Sequence, residues 1–410
     1  MLFGKPAESI IVPDSNLSTT VGLPKFVRGL QGESYDRPGG TPGCFQDLSP
    51  DGKMVLFQSI DGADLVTRDP IQSRHIKTGP ERVVCGDNYT GVAYDRRSIY
   101  PWVLTHFGVT WGATPVVAKR EWLSLLSSGH GNYLAQDGNN LVRLSVSVDG
   151  SRIEREIEFS LPGSWHSFRE YSSSGVAVIE RESDFIVAPN VAVNANFTRA
   201  VNPWRLLKPI GGRVALDDVA ISQDCFTAYG LRAYAPAPAL GTIQLFTWEC
   251  DGSISSDVVQ FPARGGLSAA ISPAADKIAA IGEFFDGQNS FYILHVWSVP
   301  ELTPIAAEVF ESPCTAEATV SFDALGEFIV VSSGSSRLIW HADNREKLTS
   351  VGTYSGGSSL RISALAAGAP TLVVQERTIE ESQCFDRFRW IDFTSPVFLE
   401  ESLYDRNRLR

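Results

Sequence analysis

The segment Arg337-Leu-Ile-Trp340 ends a run of strand-forming residues on a tryptophan. This pattern occurs at three other places in the C-terminal half of the chain, namely Gln244-Leu-Phe-Thr-Trp248, Leu294-His-Val-Trp297 and Phe388-Arg-Trp390. Successive tryptophans are 49, 43 and 50 residues apart. Apolar and aromatic residues of this kind favour β-strands, and their recurrence at such an interval indicates a repeated supersecondary unit.

A turn-rich spot followed by a short apolar strand precedes each of these tryptophans. The spots are Ser222 to Asp224, Ser272 to Asp276, Ser321 to Gly326 and Ala364 to Gly368, and they begin 26, 25, 19 and 26 residues before the tryptophans. Serine, aspartate, glycine and proline favour tight turns. Because two landmarks recur in the same order at similar offsets, we interpret the period as a structural repeat.

Four further turn-rich spots lie in the N-terminal half of the chain. They are Ser49-Pro-Asp-Gly52, Tyr94-Asp95, Ser127 to Gly129 and Ser172 to Gly175. The eight spots are about 45 residues apart on average, but the step from Tyr94 to Ser127 is only 33 residues. We expect one of that pair to be false. The sequence therefore predicts seven repeats, with eight as the alternative and an irregular second or third repeat.

The order of turn, apolar strand, small-residue loop, strand ending in tryptophan and polar hairpin resembles a WD40-type blade of four antiparallel strands. The resemblance is strongest at Ser332 to Asp343 and at Leu48 to Phe57. It implies an all-β propeller, in which the tryptophan near the end of each third strand packs between blades as a structural residue. The chain departs from the family pattern because Ser298, and not aspartate, follows Trp297. The sequence therefore resembles the WD40 superfamily in general and not its consensus repeat.

Residues 41–400 are expected to form the propeller, with an N-terminal extension over residues 1–40 and a polar tail over residues 401–410. A propeller closes when a strand from one terminus pairs with the sheet formed by the other. We expect Ser9-Ile-Ile-Val12 or Pro396-Val-Phe-Leu399 to supply that strand.

Two local patterns add to this outline. The segment Leu141 to Phe159 alternates on both sides of Asp149-Gly150, which predicts a hairpin at the outer edge of a blade. Its first arm places Leu144, Val146 and Val148 on one face. Trp122 to Leu126 is the one segment whose spacing favours a short helical turn.

Charge and cysteine usage narrow the function classes. A formal net charge of −12 disfavours binding to nucleic acid or to anionic lipid. The sequence shows neither a signal-peptide pattern nor a run of about 20 apolar residues, so we expect a cytoplasmic protein without a membrane partner. The six cysteines are widely spaced and contain no C-x-x-C pair. We interpret them as buried thiols, with three disulfides as the alternative.

No catalytic, cofactor or metal residue is predicted. The six histidines are not at metal-ligand spacing, and His295 and His341 lie within apolar strands, where a packing role is the simpler interpretation. No G-x-S-x-G elbow, P-loop, G-x-G-x-x-G turn or EF-hand loop is present. The sequence leaves enzymatic activity open and favours a protein without one.

Six residues are candidates for binding a partner. Trp111 has the most loop-like setting of an aromatic stretch that runs from Tyr100 to Trp122, otherwise interpreted as core. The settings of His130, Trp165 and His166 also suggest exposure. Arg406 and Arg408 give the C-terminus local positive charge, which suits either a solvated tail or a docking segment for an acidic partner.

The resemblance to WD40 propellers implies a function by analogy of fold. We expect a non-enzymatic scaffold or recognition subunit that binds one or more proteins in a larger assembly. One alternative is a propeller hydrolase or lyase with its site at the mouth of the central channel. Another is a nucleic-acid-binding subunit that uses a local basic face. Whether a small molecule binds is left open.

Overall fold

The computed structural model describes residues 34–38, 44–59, 62–68, 72–77, 82–129, 131–160, 167–171, 177–181, 184–188, 205–207, 216–222, 227–237, 240–249, 253–285, 289–311, 318–334, 336–343, 347–355, 360–366, 368–380 and 383–393. Within these ranges the regular elements are all β-strands, and they form eight antiparallel sheets. The predicted all-β propeller of four-stranded blades is confirmed. The number of sheets agrees with the alternative of eight blades and not with seven.

The strands follow one another along the chain within each blade, except that the first strand, β1 (Ser34–Pro38), belongs to the last blade. Blade 1 contains β2 (Cys44–Leu48), β3 (Met54–Ser59), β4 (Gly62–Thr67) and β5 (Gln72–Lys77). Blade 2 contains β6 (Arg82–Cys85), β7 (Thr90–Tyr94), β8 (Ser98–Thr105), β9 (Gly108–Trp111) and β10 (Val116–Val117). Blade 3 contains β11 (Trp122–Gly129), β12 (Asn132–Asp137), β13 (Asn140–Val146) and β14 (Ile153–Ser160). Blade 4 contains β15 (Ser167–Tyr171), β16 (Ala177–Arg181), β17 (Asp184–Ala188) and β18 (Arg205–Leu207).

The second half of the ring repeats this order. Blade 5 contains β19 (Asp218–Ile221), β20 (Ala228–Ala237), β21 (Leu240–Trp248) and β22 (Ile254–Pro262). Blade 6 contains β23 (Gly265–Ile271), β24 (Lys277–Phe285), β25 (Ser290–Ser298) and β26 (Pro304–Glu311). Blade 7 contains β27 (Ala318–Phe322), β28 (Phe328–Ser333), β29 (Ser336–Asp343) and β30 (Lys347–Ser355). Blade 8 contains β31 (Leu360–Leu365), β32 (Thr371–Glu380), β33 (Gln383–Asp392) and β1.

One side-chain hydrogen bond explains the turn-rich spots between first and second strands. In blade 1 the Ser49 hydroxyl accepts the backbone N–H five residues later, and the serines of blades 5 and 6 do the same. Asp323 of blade 7 uses a carboxylate oxygen in the same way, at 2.8 Å from the N–H of Phe328. Short polar side chains favour turns because they make such local bonds.

Two local predictions are wrong. Tyr94-Asp95 lies between the second and third strands of blade 2, whose first turn is at Gly86 to Tyr89. The turn-rich spot of blade 2 is therefore Gly86 to Tyr89. The step of 33 residues from Tyr94 to Ser127 is then no longer evidence against eight blades. The segment Trp122 to Leu126 is part of β11 and not a helical turn. A β-bulge after Trp122 breaks the alternation there, so Trp122 and Leu125 are both buried although they are three residues apart.

The four repeated tryptophans occupy equivalent positions in their blades. Trp248, Trp297, Trp340 and Trp390 lie in the third strands of blades 5 to 8 and are all buried. Trp297 packs in a cluster formed by blades 5 and 6, Trp340 in one formed by blades 6 and 7, and Trp390 in one formed by blades 8 and 1. Blade 2 has a fifth member, because Trp102 of β8 is fully buried between blades 1 and 2.

The ring closes through β1, which pairs antiparallel with β33 from Ser34 opposite Arg389 to Pro38 opposite Phe385. This strand occupies the fourth position of blade 8. Neither segment expected to close the ring takes that position, and 9–12 and 396–399 lie outside the described residues.

Gly91 makes room for Trp102 on the neighbouring strand. A Cβ atom at Gly91 would lie 2.1 Å from Cζ2 of Trp102 and 2.6 Å from the carbonyl oxygen of Val84. Gly91→Ala is therefore expected to lower the free energy of unfolding by about 1–3 kcal/mol, the usual cost of overpacking. Urea unfolding measures this change. A Cβ at Gly265 would meet no atom within 4 Å, so Gly265→Ala is the matched control and should change stability by less than about 0.5 kcal/mol.

His295 gives the fold a predictable response to acid. Its ring stacks on Trp297 at 5.2 Å between centroids and lies 5.2 Å from Phe261, and burial lowers its pKa to about 4. In the unfolded chain a histidine takes up a proton near pH 6.5, whereas the folded protein keeps His295 neutral down to about pH 4. The contribution of His295 to the free energy of unfolding is therefore complete above pH 6.5. It is lost as the pH falls toward 4, by at most about 3 kcal/mol.

The variant His295→Phe keeps the ring stacking but cannot take up a proton. Unfolding curves measured between pH 4 and pH 7 should show less acid destabilisation in the variant than in the wild type. Equal pH slopes in the two proteins would show that His295 does not contribute to the acid response.

Candidate protein-interaction site

The outer edge of blade 2 is irregular, as the sequence indicates for blade 2 or 3. Instead of one fourth strand, β8 pairs with two short strands, β9 opposite Trp102 to Thr105 and β10 opposite Ser98 and Ile99. Pro101 lies at the break, where it has no N–H to donate and its carbonyl accepts the N–H of Gly112 at 2.8 Å. The chain therefore leaves the edge after Trp111 and returns at Val116.

A turn of blade 3 packs against this break. The predicted hairpin at Asp149-Gly150 is confirmed, since β13 pairs with β14 and the Asp149 carboxylate accepts the N–H of Ser151 at 3.0 Å. A Cβ at Gly150 would lie 2.6 Å from Cβ of Val103, and one at Gly112 would lie 2.7 Å from the carbonyl oxygen of Ser151. The two blades thus meet through backbone atoms, which gives the edge a rigid support.

Three apolar side chains project from this junction, and we call them the rim patch: Phe107, Trp111 and Val148. Phe107 lies at the tip of the hairpin between β8 and β9 and is fully exposed, and Trp111 at the end of β9 is 41% exposed. Val148 lies in the blade 3 turn and is 88% exposed, so its expected place on the inner face with Leu144 and Val146 is wrong. Exposed apolar side chains on adjacent turns are typical of an interaction surface.

The Ser98 end of β8 lies beside a second surface, whose backbone is held by the carboxylate of Asp137. The buried Asp137 carboxylate accepts the backbone N–H groups of Lys119, Arg120 and Glu121 at 2.7, 2.8 and 3.1 Å. It also forms an ion pair of 2.7 Å with Nη2 of Arg155, and that nitrogen donates to the carbonyl of Val117. Burial alone would raise the pKa of Asp137, but the bonds from Lys119, Arg155 and Arg120 outweigh it and hold the pKa below its usual value.

Five basic side chains surround this anchored connection, and we call them the basic face. Its members are exposed on the surface: Arg82, Arg96, Arg97, Lys119 and Arg120. The turn between β7 and β8 lies against the connection from β10 to β11, because the carbonyls of Arg97 and Arg96 accept the N–H groups of Ala118 and Trp122 at 2.7 and 2.9 Å. No local sequence pattern predicts this cluster, because its members come from separate segments of the chain.

Of the six predicted binding residues, the described residues include Trp111 alone. His130, Trp165, His166, Arg406 and Arg408 lie outside them. Among the described side chains, no three His, Cys, Asp or Glu residues converge closely enough to hold a metal ion. The described part of the chain likewise has no helix with the length and hydropathy that a membrane crossing requires.

Comparison with known proteins identifies the fold. No protein-family model matches the chain, and no curated protein matches it either. Sqt1 from Chaetomium thermophilum, solved bound to the N-terminus of ribosomal protein L10, superimposes with a TM-score of 0.52 at 11% identity, over 88% of this chain and 100% of that chain. The chain has the fold of a divergent WD40-like β-propeller.

Two other propeller structures are similar to this chain at lower TM-scores. The Dos1 propeller has a TM-score of 0.48 at 9% identity, over 86% of this chain and 93% of that chain. The WD40 domain of SCAP from fission yeast has a TM-score of 0.47 at 9% identity, over 73% of this chain and 82% of that chain. At such identities the likeness concerns the fold.

Removing the charge of Asp137 should destabilise this propeller. Asp137→Asn leaves Arg155 without its counter-ion and removes an acceptor from the connection between blades 2 and 3. We expect a loss of about 3–5 kcal/mol, the range found when one partner of a buried ion pair is removed. Denaturant unfolding should show it, and the exposed Asp257→Asn should change stability by less than about 0.5 kcal/mol. Equal stability of the two variants would contradict the anchoring role.

Proposed function

We propose that this WD40-like propeller is a non-enzymatic protein-binding subunit that docks on a partner through the rim patch. The observation that carries the proposal is the exposure of Phe107 and Trp111 on the β8–β9 hairpin and of Val148 on the blade 3 turn that packs against the base of that hairpin. Aromatic residues dominate the binding energy of protein interfaces, and burying one phenylalanine side chain contributes about 1.5–3 kcal/mol.

The rigid support of the rim patch favours binding. The turn of blade 3 and the edge of blade 2 contact each other through Gly150 and Gly112, so little conformational freedom remains to be lost on docking. A WD40-type propeller such as Sqt1 can hold a protein segment, as its structure with the N-terminus of ribosomal protein L10 illustrates.

We propose further that the protein acts in the cytoplasm as part of a larger assembly. Cys85 is a buried free thiol, which suits a reducing compartment. A rigid ring with separate binding surfaces also suits a subunit that holds more than one partner. The rim patch would then be one of several contact surfaces.

Affinity purification with quantitative mass spectrometry tests the rim patch. The full chain carries a tag and is expressed in cells of its source organism, as the wild type and as the double variant Phe107→Ser, Trp111→Ala. We expect one or more proteins that co-purify with the wild type to fall by about tenfold with the variant, because two hot-spot side chains are lost. Both changes are on the surface, so the melting temperature should stay within about 2 °C of the wild type.

Val258→Ala with Val309→Ala is the matched control, because these exposed valines lie on the fourth strands of blades 5 and 6. Co-purifying proteins should be retained by this variant. If the rim variant and the control keep the same set of proteins at the same amounts, the rim patch is not the docking surface.

A further inference from the structure

We propose that the basic face recognises an acidic peptide segment of a partner protein. This goes beyond docking through the rim patch, because the basic face lies at the Ser98 end of β8, whereas Trp111 lies opposite Trp102 and Phe107 follows Thr105. Along β8, Ser98 is about 13 Å from Trp102 and about 23 Å from Thr105. One partner segment bound at the basic face therefore need not touch the rim patch.

The charge balance of this surface differs from that of the protein. The chain has a formal net charge of −12, whereas the basic face holds five cations near three carboxylates, those of Asp95, Glu121 and Asp137, the last of which is paired with Arg155. The Asp95 carboxylate already accepts the N–H groups of Arg97 and Ser98 at 2.6 and 2.7 Å. Glu121 pairs with Arg96 at 3.2 Å. Among the described residues, Arg97 and Arg120 have no ion-pair partner, so their guanidinium groups are available to an incoming anion.

The cations are held on a fixed backbone. The connection that carries Lys119 and Arg120 is bound by three N–H groups to the Asp137 carboxylate. The aliphatic part of the Arg120 side chain lies over Gly138, where a Cβ would be 2.8 Å from Cδ of Arg120. Arginine forks bind carboxylates with two parallel hydrogen bonds when they are held in place. The arrangement therefore suits spaced Asp and Glu side chains.

A peptide fits this surface better than a nucleic acid does. The overall acidic field repels a long polyanion, whereas a short acidic segment contacts only the local cations. Leu123, which follows the anchored connection, is 41% exposed and offers an apolar contact beside the basic side chains. Nucleic-acid surfaces instead combine cations with exposed aromatic rings for base stacking, and Trp122 beside this face is buried under Arg155.

Fluorescence anisotropy with defined probes tests the proposal on the full chain. The probes are a fluorescein-labelled peptide of Asp and Glu with interspersed Leu, the same peptide with Asn and Gln in place of the acids, and a single-stranded DNA of equal charge. We expect the acidic peptide to bind at least about tenfold more tightly than the amide peptide and to weaken with added salt. The double variant Arg97→Glu, Arg120→Glu should lose at least about tenfold of this affinity.

The matched control is the triple variant Ser255→Glu, Ser256→Glu, Arg264→Glu, which changes the net charge equally with exposed residues at the outer strand of blade 5 and the segment after it. Its affinity should stay within about twofold of the wild type. Equal weakening by the two variants would show a general field effect and overturn the proposal. DNA binding as tight as that of the acidic peptide, lost in the same variant, would overturn it in favour of a nucleic-acid surface.

The rim variant Phe107→Ser, Trp111→Ala separates this proposal from the proposed docking surface. It should bind the acidic peptide with unchanged affinity, because it changes no charged side chain and no member of the basic face. A failure of the acidic peptide to bind any form of the protein would remove the inference about the basic face and leave the rim patch untouched.

Discussion

Large apolar side chains buried between neighbouring sheets hold the blades together. A four-stranded sheet cannot cover its own faces, and each main core cluster draws its residues from two adjacent blades. The tryptophans act through their size: among the described residues the indole N–H groups of Trp102, Trp122 and Trp340 have no hydrogen-bond acceptor. Packing therefore holds these tryptophans between the blades, and carboxylates such as Asp47 and Asp218 add hydrogen bonds from one blade to the first strand of the next.

Much of this fold could be predicted from the sequence, because packing and turn chemistry leave periodic marks. The tryptophans fixed the third strands of blades 5 to 8, and the serines and Asp323 marked first turns through a bond to the N–H five residues later. The closing strand could not be predicted. Ser34–Pro38 contributes an edge that pairs through backbone atoms, so its sequence carries no apolar alternation. The predicted number of seven blades was wrong because the turn at Tyr94-Asp95 resembles a turn between the first and second strands of a blade.

The candidate site was only partly visible in the sequence. The exposure of Trp111 followed from its position beside Gly112, but Phe107 and Val148 join it because a strand breaks and a turn of the next blade packs into the break. Val148 was misplaced because β13 ends at Val146, so the alternation stops before it. The basic face depends on backbone bonds between distant segments. Tertiary packing brings these separate segments together, and a local sequence pattern does not predict it.

The pairing of β1 with β33 also has a consequence for synthesis. Ser34 and its partner Arg389 are 355 positions apart (389 − 34), so β1 leaves the ribosome long before its partner strand exists. Contacts of such separation form slowly, and an unpaired strand edge invites association with other chains. A nascent or truncated chain that lacks β33 leaves the edge of β1 unpaired. Until the last blade is made, this edge is open to association with other chains.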